Sequence, residues 1–163
     1  MVAVADPPGS DEAPEPHVVE LEIPARADYL DVVRMVVATA ASLEPSFRDE
    51  RIADLRLAVS EACTNAIEAH ASLGEPDDTD RIVIRCDLAE DRIEVEVVDR
   101  GGGFDPGDLD ALPAVEDPSR LDFERGLGIG LMRTLTDETM FSTSEEGTSV
   151  RLVVYHTRAA EGS

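Results

Sequence analysis

The stretch that most limits what this chain can fold into is Leu55 to His70, LRLAVSEACTNAIEAH, the heart of a helix expected over about 49–71. Ile52, Leu55, Val59, Ala62 and Ala66 recur at 3-4-3-4 spacing. This is the stripe of a long helix lying on an apolar surface. Asp54, Glu61, Asn65 and Glu68 fall on the other side at ~100° per residue. Glu61 and Asn65 stand one turn apart, so a carboxylate and a carboxamide share one rigid face. A water-washed helix surface and a base beside a metal ligand both fit that pair, and periodicity does not choose between them.

The helix needs a sheet to lie on, and the rest of the chain supplies strands. Residues 17–23 (HVVELEI) read as a strand ending at Pro24, and Ala27 to Leu43 as a first helix stopped by Pro45. After the polar stretch 72–80, Ile82, Ile84 and Cys86 alternate, and so do Ile93, Val95 and Val97, with Ala89 to Asp91 as the turn between them. A long polar segment, 104–124, leads into RGLGIGLMRTLTDE, where glycines give way to a helix over about 128–136. Two more strands follow, 139–144 and 148–156, joined by a turn at 145–147. The Pro- and acid-rich residues 1–16 read as a disordered lead-in, 17–156 as one domain and 157–163 as a flexible tail.

Composition narrows the function classes. With 163 residues, 42% of them hydrophobic but only 4% aromatic and no Trp, the core has to rest on Leu, Val, Ile and Ala. The formal charge is −22, and all 14 basic residues are Arg. So acidic a chain is a poor nucleic-acid binder. It also repels free nucleotide, so a nucleotide site here requires a divalent cation and fixed local dipoles. The same acidity serves solubility and would suit a basic protein partner. Cys63 and Cys86 are far apart in apolar runs and read as buried, reduced thiols. His17, His70 and His156 show no clustering, which argues against zinc. No segment has the features of a signal peptide or a membrane span, so a cytoplasmic protein with no membrane contact is expected.

Three constellations are able to carry chemistry. Asp99 ends an apolar strand and is followed by Arg100 and three glycines, Gly101 to Gly103. A carboxylate there can accept from an exocyclic amine while glycine backbone lets a flat ligand approach, although a tight surface turn reads the same way. Gly126, Gly128 and Gly130 lead into a helix, whose N-terminal amides attract phosphate. That spacing is neither a P-loop nor a dinucleotide fingerprint, and a flexible hinge reads equally well. The third is the pair Glu61 and Asn65, since a carboxamide oxygen is a hard ligand suited to Mg²⁺.

It is their order that is specific. LAVSEACTNAIEAH, VVDRGGGFDP, GLGIGLMRTLTDE and EEGTSVRL, spread over about 18–156, together resemble the boxes of the ATP-binding (Bergerat) module shared by gyrase, MutL and histidine kinases. Within that superfamily the chain is most similar to the anti-sigma-factor serine/threonine kinases. The resemblance implies an α+β two-layer sandwich, with helices on one face of a mixed, largely antiparallel sheet. It implies ATP and Mg²⁺ as cofactors, Glu61 as general base, and Asn65 as the metal ligand beside the phosphates. Asp99 would accept from the adenine amino group, with Gly101 and Gly103 against the ring and the Thr148 hydroxyl assisting. Gly126, Gly128 and Gly130 would belong to the lid over the phosphates. The implied partners are a sigma factor and a small anti-anti-sigma (STAS-domain) protein as substrate, with the kinase a homodimer.

The chain departs from the family pattern at Gly130, where relatives often carry a bulky residue, and at the additional Gly102. Its lid has no Lys, leaving Arg120, Arg125 and Arg133 to meet phosphate. An ATP-binding partner-switching module without transfer is the alternative, against which the presence of Glu61 speaks. A detached histidine-kinase catalytic domain would need a helical hairpin carrying its phosphorylated His, and a topoisomerase or MutL-like ATPase a transducer domain; neither is expected here.

Overall fold

A computed structural model describes residues 17–71, 80–99, 124–144 and 147–157. The expected disorder of 1–16 and most of the expected tail lie outside the described residues. The elements are β1 (His17–Pro24), a 3-10 turn (Ala27–Tyr29), α1 (Leu30–Ala41), α2 (Asp49–Ala71), β2 (Arg81–Leu88), β3 (Arg92–Asp99), α3 (Glu124–Leu135), β4 (Glu138–Ser144) and β5 (Gly147–Tyr155). The strands form one sheet in the order β1-β2-β3-β5-β4. Each described pairing is antiparallel, so the largely antiparallel sheet expected from the sequence is antiparallel throughout these strands.

Strand parity decides which side chains meet the helices. Ile82, Ile84, Cys86 and Leu88 are buried and stand opposite Asp99, Val97, Val95 and Ile93, which are buried too. Val97 and Val95 in turn face Val150 and Leu152 across β3 and β5. Such alternation is the pattern of a half-buried sheet. The opposite face carries charge. Arg85 pairs with Glu96 and Glu96 with Arg151, while Glu94 takes a 2.8 Å hydrogen bond from Arg92 Nε and a second one from Arg151.

The helices cover the apolar face, with α2 central and in contact with α1, α3, β3 and β5. The core joins Val33 and Val37 of α1, Leu55, Val59 and Ala62 of α2, the inward strand residues, and Met132 of α3. It is aliphatic, as the composition requires. Because α2 is enclosed on several sides, more than one stripe of it is buried. Ala58, Ser60, Cys63 and Ala69 join the expected row, and so do Arg51 and His70 near the two ends.

Arg51 fastens the start of α2 to the far end of the sheet. Its guanidinium donates to the Tyr155 carbonyl from two nitrogens, each at 3.3 Å, and pairs with the Asp137 carboxylate. Asp137 also accepts from the Tyr155 amide at 2.8 Å. Every strong polar group in that knot has a partner, the condition under which a charge can be buried.

Two helix starts differ from the sequence reading. The first helix opens with a 3-10 turn, so its α-helical part starts at Leu30 rather than Ala27. More consequential is α3, which begins at Glu124. Gly126, expected ahead of a helix starting at about 128, therefore lies inside that helix together with Gly128 and Gly130, where a lid was expected. Glycine's weak helix propensity is overridden here by packing against α2, as the site geometry makes plain.

Candidate functional site

Parity places two polar residues on the buried face at one end of the sheet. Asp99 continues the inward series 93, 95, 97, and Thr148 continues 150, 152, 154 backwards; the two are cross-strand partners. Both are nearly inaccessible, at 4% and 7% exposure. Gly147 precedes Thr148 with φ 146°, a backbone conformation that L side chains rarely adopt, so glycine is required where the β4–β5 hairpin closes.

Above this sheet end runs the second half of α2. Asn65, Ala66 and Ala69 of that helix, Ile129 of α3 and Phe141 of β4 enclose an open-mouthed pocket with Asp99 and Thr148. The lining is mostly apolar, and its polar side chains are Asn65, Asp99 and Thr148. Such a pocket suits a flat heteroaromatic ring whose polar edge meets the carboxylate and hydroxyl. Asn65 is the member of this set that comes from the helix face carrying Glu61. Both are half-buried rather than washed by solvent.

α3 covers that pair. A Cβ built on Gly128 would lie 3.1 Å from Glu61 Oε2 and 3.4 Å from Asn65 Oδ1. Glycine at this point lets the helix backbone come down onto these two side chains, which explains why a poor helix former sits within α3. Next to it, Ile129 is buried and lines the pocket. Arg133 is exposed and stacks over the Phe141 ring at 5.9 Å, on the pocket's outer wall. Gly101, Gly102, Gly103 and Arg120 lie outside the described residues, as does the side chain of Arg125.

The buried cysteines take no part in this chemistry. Burial, reinforced by Cys86, pushes the Cys63 thiol up to about 12, and burial followed by Asp87 raises Cys86 to about 11. Both stay protonated at neutral pH and behave as small apolar groups.

One residue beside the pocket was passed over in the sequence. His70, in the last turn of α2, is buried, with Nε2 against Asp99 Oδ1 and Nδ1 3.6 Å from Asp80 Oδ2. The signal that could have found it is the helical stripe itself. Four residues beyond Ala66 is His70, a polar ring on the core side.

The model of the histidine kinase-like ATPase domain matches residues 23–154. The serine-protein kinase RsbW of Bacillus pumilus is 38% identical over 125 residues, 74% of this chain and 75% of that protein. The RsbW of Bacillus subtilis is 37% identical over 141 residues, 84% of each. Among solved structures, the RsbU and RsbW domains of a Mycobacterium tuberculosis protein superpose with a TM-score of 0.59 at 19% identity, covering 85% of this chain and 31% of that one. A chain of the SiaB–SiaC complex from Pseudomonas aeruginosa gives 0.56 at 15% identity, covering 84% and 88%. These two carry the fold alone, whereas the domain model and the sequence relatives carry the family: the chain belongs to the histidine kinase-like ATPases and, within them, to the serine-protein kinases of the RsbW type.

Proposed function

We propose that this protein is an anti-sigma factor that uses ATP and Mg²⁺ to phosphorylate a serine or threonine of a small STAS-domain anti-anti-sigma protein, and that binds a sigma factor as the other arm of the switch. The observation that carries the reading is the convergence of Asn65, Asp99 and Thr148 on one apolar pocket, with Glu61 one turn from Asn65 under Gly128. Asp99 accepts from the exocyclic amine of adenine and Thr148 adds its hydroxyl, while Gly101 and Gly103 let the ring lie against the backbone. The Asn65 side-chain oxygen faces the phosphate end as a hard ligand. Asn65 would hold the cation, which would bring positive charge to the phosphates. Mg²⁺, when bound, supplies the positive charge that offsets the phosphates in so acidic a protein.

Glu61 is the base. It removes the proton of the incoming hydroxyl as that oxygen bonds to the terminal phosphorus of ATP and the bond to the bridging oxygen breaks, releasing ADP. Phosphoryl transfer asks chiefly for positioning and charge stabilisation, and one rigid helix holds both functional side chains. Gly126, Gly128 and Gly130 act from α3, which closes over the phosphate end as a packed helix rather than as a loose loop. The functional domain spans 17–156, and the protein works in the cytoplasm as a homodimer. In support, no described helix is long and apolar enough to cross a membrane. Val32 and Met35 on α1 and Leu43 just beyond it are exposed, an apolar strip of the kind a partner protein covers.

The test compares two substitutions on the one helix face. Glu61→Ala lowers transfer to the STAS-domain partner by about 10²–10⁴-fold while ATP affinity stays within a few-fold. Asn65→Ala instead weakens ATP binding measured with Mg²⁺. A fully active Glu61→Ala enzyme removes Glu61 as the base, and unchanged Mg²⁺-dependent binding removes the metal role of Asn65.

A further inference from the structure

His70 is the buried side chain at the site that the reading above does not use. Its ring is walled in, at 3% side-chain exposure, and Asp99 beside it stands at 5%. An aliphatic side chain would fill the same space without the cost of burying a polar ring. Nor does the ring act as a plain structural tie. Its Nε2 lies against Asp99 Oδ1 yet makes no hydrogen bond of regular geometry. Its Nδ1 lies 3.6 Å from Asp80, beyond direct hydrogen-bonding distance. So the imidazole lies between two carboxylates, one at the entry to β2 and one at the end of β3 that lines the pocket.

We propose that His70 is a positioning residue for nucleobase recognition: from the last turn of α2 it holds the Asp99 carboxylate in the orientation that accepts from an amino-purine. The inference rests on the assignment of Asp99 to the base. With Nε2 lodged against Oδ1, the ring limits how the carboxylate plane can turn, and the neighbouring Asp80 limits how the ring itself can turn. The arrangement also ties base recognition to the helix that bears Glu61 and Asn65, so the ring of the nucleotide and its phosphates are registered from one rigid body. The consequence is selectivity. A carboxylate held toward the 6-position welcomes the amine of adenine and repels the oxygen of guanine. A carboxylate without the ring beside it is held less closely in that direction and discriminates less.

The experiment measures ATP and GTP affinity by calorimetry on the full chain with Mg²⁺, with thermal melts in parallel. His70→Ala weakens ATP about tenfold and GTP hardly at all, so the ratio of the two falls about tenfold. His70→Gln, whose amide nitrogen extends to about the position of Nε2, keeps the ratio within about threefold, whereas the shorter His70→Asn behaves like the alanine variant. Asp99→Ala loses the preference by itself, and adding His70→Ala to it changes nothing further, as expected of two residues acting as one unit. A wild-type ratio in His70→Ala, an equal loss for both nucleotides, or tighter ATP binding overturns the proposal. Should His70→Ala fail to fold, Gln and Asn decide: a ratio kept by Gln and lost by Asn supports the role, and two like variants overturn it. If Asp99→Ala keeps the preference for ATP, the base assignment fails and this inference with it; if only His70→Ala is silent, the base assignment stands and the inference alone falls.

Discussion

The two ends of α2 solve the same problem in opposite ways. Each brings one large polar side chain out of the buried face of the helix to an end of the sheet, Arg51 at the start and His70 roughly 28 Å further along the axis. At the Arg51 end the polar groups are satisfied, since the guanidinium reaches both the Tyr155 carbonyl and Asp137 while Asp137 takes the Tyr155 amide. At the His70 end the ring meets carboxylates without regular hydrogen bonds, and an apolar pocket opens beside it. The first is how a fold buries charge to hold itself together. The second places an irregularly bonded ring beside a pocket. Burial of a polar side chain therefore says little about its role until its partners are followed.

If the contrast is right, mutations should separate. Arg51→Ala leaves the part-buried Asp137 carboxylate without its cation. It is expected to destabilise the protein by about 3–5 kcal/mol in urea unfolding, with Mg-ATP affinity of the folded fraction unchanged. A large loss of nucleotide affinity with intact stability would erase the distinction between the two ends. Gly128→Ala tests the pocket end from above. An alanine relieves the helix penalty of glycine, worth up to about 1 kcal/mol, but its Cβ presses on Glu61 Oε2 and Asn65 Oδ1. Stability should hold or rise slightly in a thermal melt while phosphotransfer falls several-fold; a parallel loss of both would mean that the glycine serves packing only.

The smallest effect is expected on the charged face of the sheet, remote from the pocket. Burial alone would raise the Glu94 carboxyl, but hydrogen bonds from Arg151 and Arg92 outweigh it and hold it below its ordinary value of 4.5. A depressed carboxyl contributes stability that is complete above its unfolded value and fades as pH falls through the folded one. The two arginines are about half exposed, so solvent screening keeps the contribution under about 1 kcal/mol. Glu94→Gln should flatten the stability profile slightly below about pH 4.5 and leave it unaltered in shape near neutrality. Any change in ATP affinity in that variant would show that the sheet's outer face communicates with the pocket.

Much of this molecule was legible in one dimension. The alternation at Ile93, Val95 and Val97 continues to Asp99, so the strand's own parity already aims that carboxylate at the helices. The stripe from Ile52 to Ala66 located the buried side of α2, and the order of the boxes pointed to the ATP-binding module. These features are local or rest on a period, and a backbone repeat transmits them without help from distant residues. The start of α3, the closeness of Gly128 to Glu61 and Asn65, and the partners of Arg51 and His70 were not legible. Arg51 lies 104 residues from Tyr155 and 86 from Asp137, and His70 meets a strand end that only folding brings near. Composition and periodicity thus determined the elements, the aliphatic core and the inward direction of Asp99. Tertiary packing alone decided which polar side chains share a pocket, because a hydrogen-bond or ion-pair partner is chosen by distance in space, and sequence separation carries no measure of that.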